Sequence, residues 1–252
     1  KDGKPMALTS LNKSDEAPFQ YGHLSLKDIL AVRDKRLAQT IDTVLLYNGR
    51  GFTRFNTGME STSSTGYGVA KYDNEAIPEG FRSQSGKNYT HAPLFWLSVI
   101  YLNYAEACAE LGNITQDDLD KSINLLKDRA GLPHLSPIVG FSDPANNHGV
   151  SDLIWEIRRE RRCELMFDND NRYWDLIRWH QLDKLDTTKY PDIILGANVA
   201  NDMDGCEANK VGKYIDGSKD GSRIYDKKHY LYPIPTGQIA LNPQLAPNNP
   251  GW

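Results

Sequence analysis

Helical periodicity in this chain is confined to its middle. From Pro93 onward, Trp96, Leu97, Ile100, Tyr101, Tyr104, Ala105 and Cys108 recur at helical spacing up to Gly112-Asn113. Pro93 suits a first helical turn, where its missing N–H is not needed. Thr115 with Asp118 has capping spacing and opens a second helix, with Leu119, Ile123 and Leu126 on one face and a stop at Gly131-Leu132-Pro133. The two make an antiparallel helical hairpin of tetratricopeptide size, in which small residues such as Ala105 permit close approach. Ser151 caps a third helix, and Arg172–Leu185 reads as a fourth.

The flanks have a different texture. Residues 1–92 are expected to be loop and hairpin, 93–185 helical, and 186–252 turn-rich with an extended tail. Ser25 and Asp28 predict a short helix to about Ala38. Thr40–Tyr47, Asn48-Gly49 and Gly51–Phe55 predict a β-hairpin, because Asn and Gly both tolerate positive φ. Residues 56–90 read as a long surface loop, of a length usually functional or disordered, and its rings Tyr67, Tyr72, Phe81 and Tyr89 favour function. Asp204-Gly205, Asp216-Gly217 and Asp220-Gly221 are turns, and the prolines of 230–252 predict extended chain. The expected class is mainly α, with helical hairpins, long irregular loops and a short β-hairpin.

Composition excludes several functions. A net charge of −4 over 252 residues lacks the basic excess of a nucleic-acid binder. The longest apolar run, Leu94–Ala105, is broken by Ser98 and Asn103 and is too short to span a bilayer. Cys108, Cys163 and Cys206 form neither a disulfide framework nor a metal knuckle, and the histidines have no ligand spacing. Asn201–Glu207 has a fragment of calcium-loop spacing but lacks the acidic closing position, so an Asp-Gly turn is the better reading. Phosphate-cradle and nucleophile-elbow motifs are absent, and no cofactor or metal is expected.

The densest chemistry is Ile157–Leu165 followed by Arg172–Trp179. On a helix, Ile154, Ile157, Arg161, Glu164, Leu165 and Asp168 share a face, which sets charges within an apolar stripe. Such charges need partners, and Arg172 and Asp175 are candidates. One reading is a glycosidase pair, Glu160 or Glu164 with Asp175. The other is a structural ion network of Arg161, Glu164, Arg172 and Asp175, which the crowding of arginines suits better. Loop aromatics offer a separate site. Rings beside polar groups can stack on the C–H faces of sugars, and Phe19, Tyr21, Tyr47, Phe52, Arg54, Phe55, Tyr67 and Tyr72 are the carbohydrate-binding candidates.

Five motifs occur in one order: Leu102-Asn-Tyr-Ala-Glu-Ala107, Glu160-Arg-Arg-x-Glu-Leu165, Arg172-Tyr-Trp-Asp-Leu-Ile-Arg-Trp179, Tyr232-Pro-Ile-Pro235 and Asn249-Pro-Gly-Trp252. Together with Asp34-Lys-Arg-Leu37 they resemble the C-terminal half of SusD/RagB outer-membrane nutrient-binding lipoproteins, over roughly residues 28–252. Two departures stand out. Trp96 and Val99 replace an Arg and a Glu usual in the family, and the Asp168–Asn171 link is about one residue long. The resemblance implies a non-catalytic, lipid-anchored cell-surface protein of the outer membrane. It would capture oligosaccharides for a SusC-like TonB-dependent transporter, with the lipidated N-terminal half lying outside this chain. A helical-repeat scaffold for a protein partner and a glycoside hydrolase are the alternatives.

Overall fold

The computed structural model describes residues 2–5, 7–9, 30, 33–45, 65–72, 74, 76–82, 84–168, 171–198, 210–211, 214–218 and 221–252. Its centre is a helical layer. Helix α1 (Lys35–Thr40) precedes strand β1 (Ile41–Leu45); strand β2 (Tyr67–Val69) and the short α2 (Glu79–Arg82) follow. Helices α3 (Leu97–Glu110), α4 (Gln116–Asp120), α5 (Ile123–Ala130), α6 (Asp152–Glu164) and α7 (Asn171–Arg178) make up the layer. Strands β3 (Leu195–Asn198), β4 (Lys210–Val211) and β5 (Tyr214–Asp216) form a second sheet in the order β3-β5-β4, and α8 (Thr236–Leu241) lies in the tail.

The core is where α3, α4, α5 and α6 meet. Leu102, Ala105, Leu119, Ile123 and Ile157 are fully buried there, joined by Leu126, Leu135 and Leu165. Burying one such aliphatic side chain contributes about 1.5–3 kcal/mol. The fully buried Asn124 is satisfied in both directions by Leu135: its Nδ2 donates to the carbonyl (3.0 Å) and its Oδ1 accepts from the N–H (2.7 Å). That clamp fixes the loop that leaves α5.

The caps act as the spacing predicts. Thr115 and Asp118 form a reciprocal capping box, and the Ser151 hydroxyl accepts from the Ile154 N–H at 3.3 Å. Gly131 closes α5 at φ 65°, where Leu132 N–H reaches Lys127 O and Gly131 N–H reaches Asp128 O.

Several boundaries differ from expectation. Helix α3 begins at Leu97 with Trp96 as its cap, three residues beyond the turn that Pro93 could have opened. The second helix divides into α4 and α5 at Lys121-Ser122. The fourth ends at Arg178, because His180 adopts φ 53° and closes it through Gln181 N–H to Leu176 O (2.8 Å), after which Leu182–Leu185 is a 3-10 turn. Helix α1 is capped by Asp34, whose carboxylate accepts from Arg36 N–H; Ser25 and Asp28 lie outside the described residues.

Strand β1 falls within the predicted run, but its antiparallel partner is β2, inside the segment read as loop, with Ile41 opposite Val69 and Leu45 opposite Tyr67. Asn48-Gly49 and Gly51–Phe55 lie outside the described residues. The tail is not mainly extended: its prolines open helical turns at α8 and at Pro243–Leu245, where φ near −65° is what a first turn needs. The tail also folds back on itself. Asn248 bonds both the N–H and the carbonyl of Ile234, Asn249 Nδ2 donates to Tyr232 O, and Trp252 Nε1 donates to Leu231 O at 2.9 Å.

Candidate functional site

A cavity of about 590 Å³ opens between α1, the end of β2, the start of α3, α5 and the end of α6. Its wall carries two rings, Trp96 and Tyr101, with Gln39, Ser98, Lys71 and Arg129 as polar neighbours. The acidic side is built by the C-terminus of α6. There Phe167 takes φ 64°, and the turn presents two carbonyls and the Asp168 carboxylate to one cation. Lys71 Nζ donates to Asp168 (2.7 Å), Met166 O (2.8 Å) and Glu164 O (3.2 Å). A lysine at a helix C-terminus satisfies orphan carbonyls and complements the dipole. Trp96 lies alongside, 5.8 Å from Lys71 Nζ to the ring centroid.

Tyr72 completes that corner. Its hydroxyl donates to Asp168 Oδ1 (2.7 Å) and sits 2.6 Å from Phe167 O. Burial and then the bond to Asp168 push its phenol up to about 12. Deeper in the wall, Arg36 bonds Glu160 at 2.5 Å, Glu164 at 2.9 Å and Asp34 at 2.6 Å. Burial by itself would lower the Arg36 guanidinium, but the bonds to Asp34 and the charge of Glu160 hold it above its ordinary range. Lys127 approaches Glu160 at 3.6 Å, and Arg129 pairs with Glu164 from the exposed side.

A second ion layer stands behind the core, outside the cavity. Arg161 donates to both oxygens of Asp175 (2.9 and 2.7 Å) and to Asn103 Oδ1 (2.8 Å). Arg178 joins Asp175 to Glu106, which also accepts from Trp179 Nε1 at 2.6 Å. The guanidinium carbons of Arg158 and Arg178 lie 4.7 and 4.5 Å from the Trp179 ring centroid. Three of the five ordered motifs therefore meet in one layer of charge and ring.

With that convergence in view, the sequence profile of the SusD family matches residues 22–252. The chain belongs to the SusD family. A solved SusD-like protein from Bacteroides fragilis aligns with 23% identity and a TM-score of 0.49, over 89% of this chain and 40% of that one. This SusD-family chain thus spans 40% of the length of that relative. No functionally curated protein matches it.

The SusD-family motifs and the sequence-derived candidates divide as follows. Arg161 and Asp175 pair with each other, whereas Glu164 is taken by Arg36 and Arg129 and forms part of the cavity wall. Arg172 is bonded to neither carboxylate and makes no ion pair among the described residues, because Asp175 is already filled by Arg161 and Arg178. Tyr72 stands beside the cavity through Asp168, while Tyr67 is half-buried in β2 near Tyr214 and does not line it. Phe19, Tyr21, Tyr47, Phe52, Arg54 and Phe55 lie outside the described residues, as does Asn201–Glu207.

Sequence reading missed Trp96, Tyr101, Lys71 and Gln39. Trp96 carried a signal, as a departure from the family pattern; Val99 packs against the core, whereas Trp96 turns to the cavity. Lys71 carried none, since its role depends on where α6 ends. Among the described residues no cluster of three His, Cys, Asp or Glu could hold a metal ion, and no helix is long and apolar enough to cross a membrane.

Proposed function

We propose that this SusD-family chain is part of a glycan-binding protein, lipid-anchored at the outer membrane and facing outward. It would pass oligosaccharides to a SusC-like TonB-dependent transporter without transforming them. The observation that carries this reading is the cavity: its volume is in the range of small-molecule sites, with two rings beside convergent polar groups. Trp96 and Tyr101 can take the C–H face of a sugar while Gln39 and Ser98 answer its hydroxyls. Tyr72 and the ring-bearing segment of Tyr47, Phe52, Arg54 and Phe55, with Phe19, Tyr21 and Tyr67, would extend the contact. Two carboxylates reach the cavity, but Glu164 is occupied by Arg36 and Arg129, and Asp168 by Lys71 and Tyr72. Carboxylates so engaged act as acceptors rather than as proton donors to a glycosidic oxygen.

Titration calorimetry against a panel of neutral oligosaccharides tests the reading. At least one glycan is expected to bind, and Trp96→Ala is expected to weaken it about tenfold, the scale of a lost ring contact. Tyr47→Ala and Phe52→Ala report on the loop segment. Absence of binding to every glycan would sink the proposal, and turnover of a chromogenic glycoside abolished by Glu164→Gln would replace it with a hydrolase.

A protein-binding role draws on a separate observation. The outer side of α3 leaves Ile100 and Leu111 largely exposed, with Leu94 and Phe95 just before the helix. Ile100→Asp and Leu111→Asp are expected to reduce co-purification with a SusC-like transporter while leaving glycan affinity unchanged.

A further inference from the structure

Two of the five ordered motifs take no part in the ion layers or the first cavity, yet they meet in the tail. Tyr232 of the Tyr-Pro-Ile-Pro run and Trp252 of the Asn-Pro-Gly-Trp run line a second cavity, of about 270 Å³, together with Tyr173 of α7. This cavity shares no lining residue with the one between α1 and α6. Its rings are set before any ligand arrives. Trp252 Nε1 donates to Leu231 O at 2.9 Å, Lys228 Nζ lies 4.4 Å from the Trp252 ring centroid, and the His229 ring meets it edge-on at 5.9 Å. Tyr232 is held at its carbonyl by Asn249 Nδ2 and at its hydroxyl by that of Tyr173, 3.1 Å away. Tyr230 ties the same stretch to the 3-10 turn, its hydroxyl accepting from Leu182 N–H at 3.1 Å. Rings so fixed lose little freedom on binding.

The lining selects against a sugar. Four of its ten residues, Leu182, Leu185, Ile224 and Leu231, are aliphatic, and carbon leaves a buried hydroxyl unanswered. A flat hydrocarbon ring meets no such cost, and an apolar cavity of about 150 Å³ already admits benzene. The polar groups of the wall share one character. Arg223 lines it with a guanidinium that makes no ion pair or hydrogen bond among the described residues. His229 accepts the Asp226 N–H at Nδ1 (3.0 Å), so the neutral ring carries its proton on Nε2, a donor with no partner among the described residues. No carboxylate lines the cavity. Nearby, Asp186 and Asp226 give oxygens to the backbone N–H groups of Tyr225 and Lys228.

We propose that this second cavity binds a small aryl carboxylate. Its flat ring would sit among Tyr173, Tyr232 and Trp252, and its carboxylate would be taken by Arg223 and the His229 Nε2–H. The guanidinium fork matches two carboxylate oxygens, and offset or edge-on ring contact supplies the rest. The two cavities are separate, so this proposal stands whether or not the larger one takes a glycan.

Calorimetry on the whole chain, with cinnamate, cinnamyl alcohol and acetate as separate titrants, decides it. Saturable cinnamate binding is expected. The alcohol, which keeps the ring and lacks the charge, should bind about tenfold more weakly, and acetate should give no saturable response. Arg223→Gln is expected to bring cinnamate down to the level of the alcohol, and Tyr232→Ala to weaken both about fivefold. Both residues are exposed, and thermal unfolding without ligand verifies that each variant folds. Affinity for a neutral glycan at the larger cavity is expected to be unchanged in Arg223→Gln. Absence of a saturable cinnamate response overturns the proposal, as does acetate binding as tightly as cinnamate. Alcohol binding equal to that of cinnamate and unmoved by Arg223→Gln would make the cavity a seat for neutral apolar groups. Self-association of the chain that Tyr232→Ala abolishes would make it a seat for a second copy. Either outcome overturns the aryl carboxylate.

Discussion

At the scale of single residues, position in the charge network decides what a side chain is worth. Arg36 is buried and ties the carboxylates of Asp34, Glu160 and Glu164 together. Removing it leaves buried Glu160 with only the more distant Lys127 and Glu164 with only the exposed Arg129, so Arg36→Met is expected to lower stability by about 3 kcal/mol in urea denaturation. Arg129 meets the same Glu164 from the surface, with 61% of its side chain exposed, and Arg129→Ala should cost under about 1 kcal/mol. Lys184 makes a prediction in pH. Its folded pKa of about 8 lies below its ordinary 10.5, so between those values the unfolded chain binds more protons and stability rises with pH. Tyr72 and Tyr225, raised to about 12, act the other way above pH 10, where their neutral forms cease to be favoured by the unfolded chain. Chemical denaturation is therefore expected to show a gain from pH 8 to 10 that Lys184→Met removes.

At the scale of elements, local rules held wherever a residue type signals its own conformation. Helices α5 and α7 end with the same pair of hydrogen bonds, closed by Gly131 in one and His180 in the other. The glycine announced its ending; the histidine, which needs the same left-handed backbone, did not. Glycines also separate two kinds of constraint. At Gly131 a Cβ would meet the flexible end of Lys35, so Gly131→Ala carries mainly the backbone cost of φ 65°, about 1 kcal/mol. At Gly196 a Cβ would sit 2.4 Å from the backbone oxygen of Thr65, which accepts from Ala197 N–H at 2.8 Å and joins β3 to the approach of β2. That oxygen has no room to retreat, so thermal melts should place Gly196→Ala as the more damaging change, by about 1–3 kcal/mol.

At the scale of the whole molecule, the packing of α3 on α6 is the fixed frame to which the cavity and both ion layers are attached. Amide exchange is expected to be slowest over Leu102–Ala109 and Ile157–Leu165, opening only with global unfolding, and faster over α8, whose residues include no buried one. Sequence alone determined the helical hairpin with its cap at Thr115 and glycine stop at 131, the Ser151 cap of α6, and the ordered motifs that announce the SusD family. Each of these depends on spacing along the chain, through 3.6-residue periodicity or the reach of a capping side chain. Tertiary structure alone decided that Arg161 pairs with Asp175 while Arg172 is left without a carboxylate, and that β1 takes Tyr67–Val69 as its partner. It also decided that Trp96 and Lys71 share a cavity wall. Those pairings join residues 14 to more than 90 positions apart, where the outcome is set by competition for a few buried acceptors and by where a neighbouring helix happens to end.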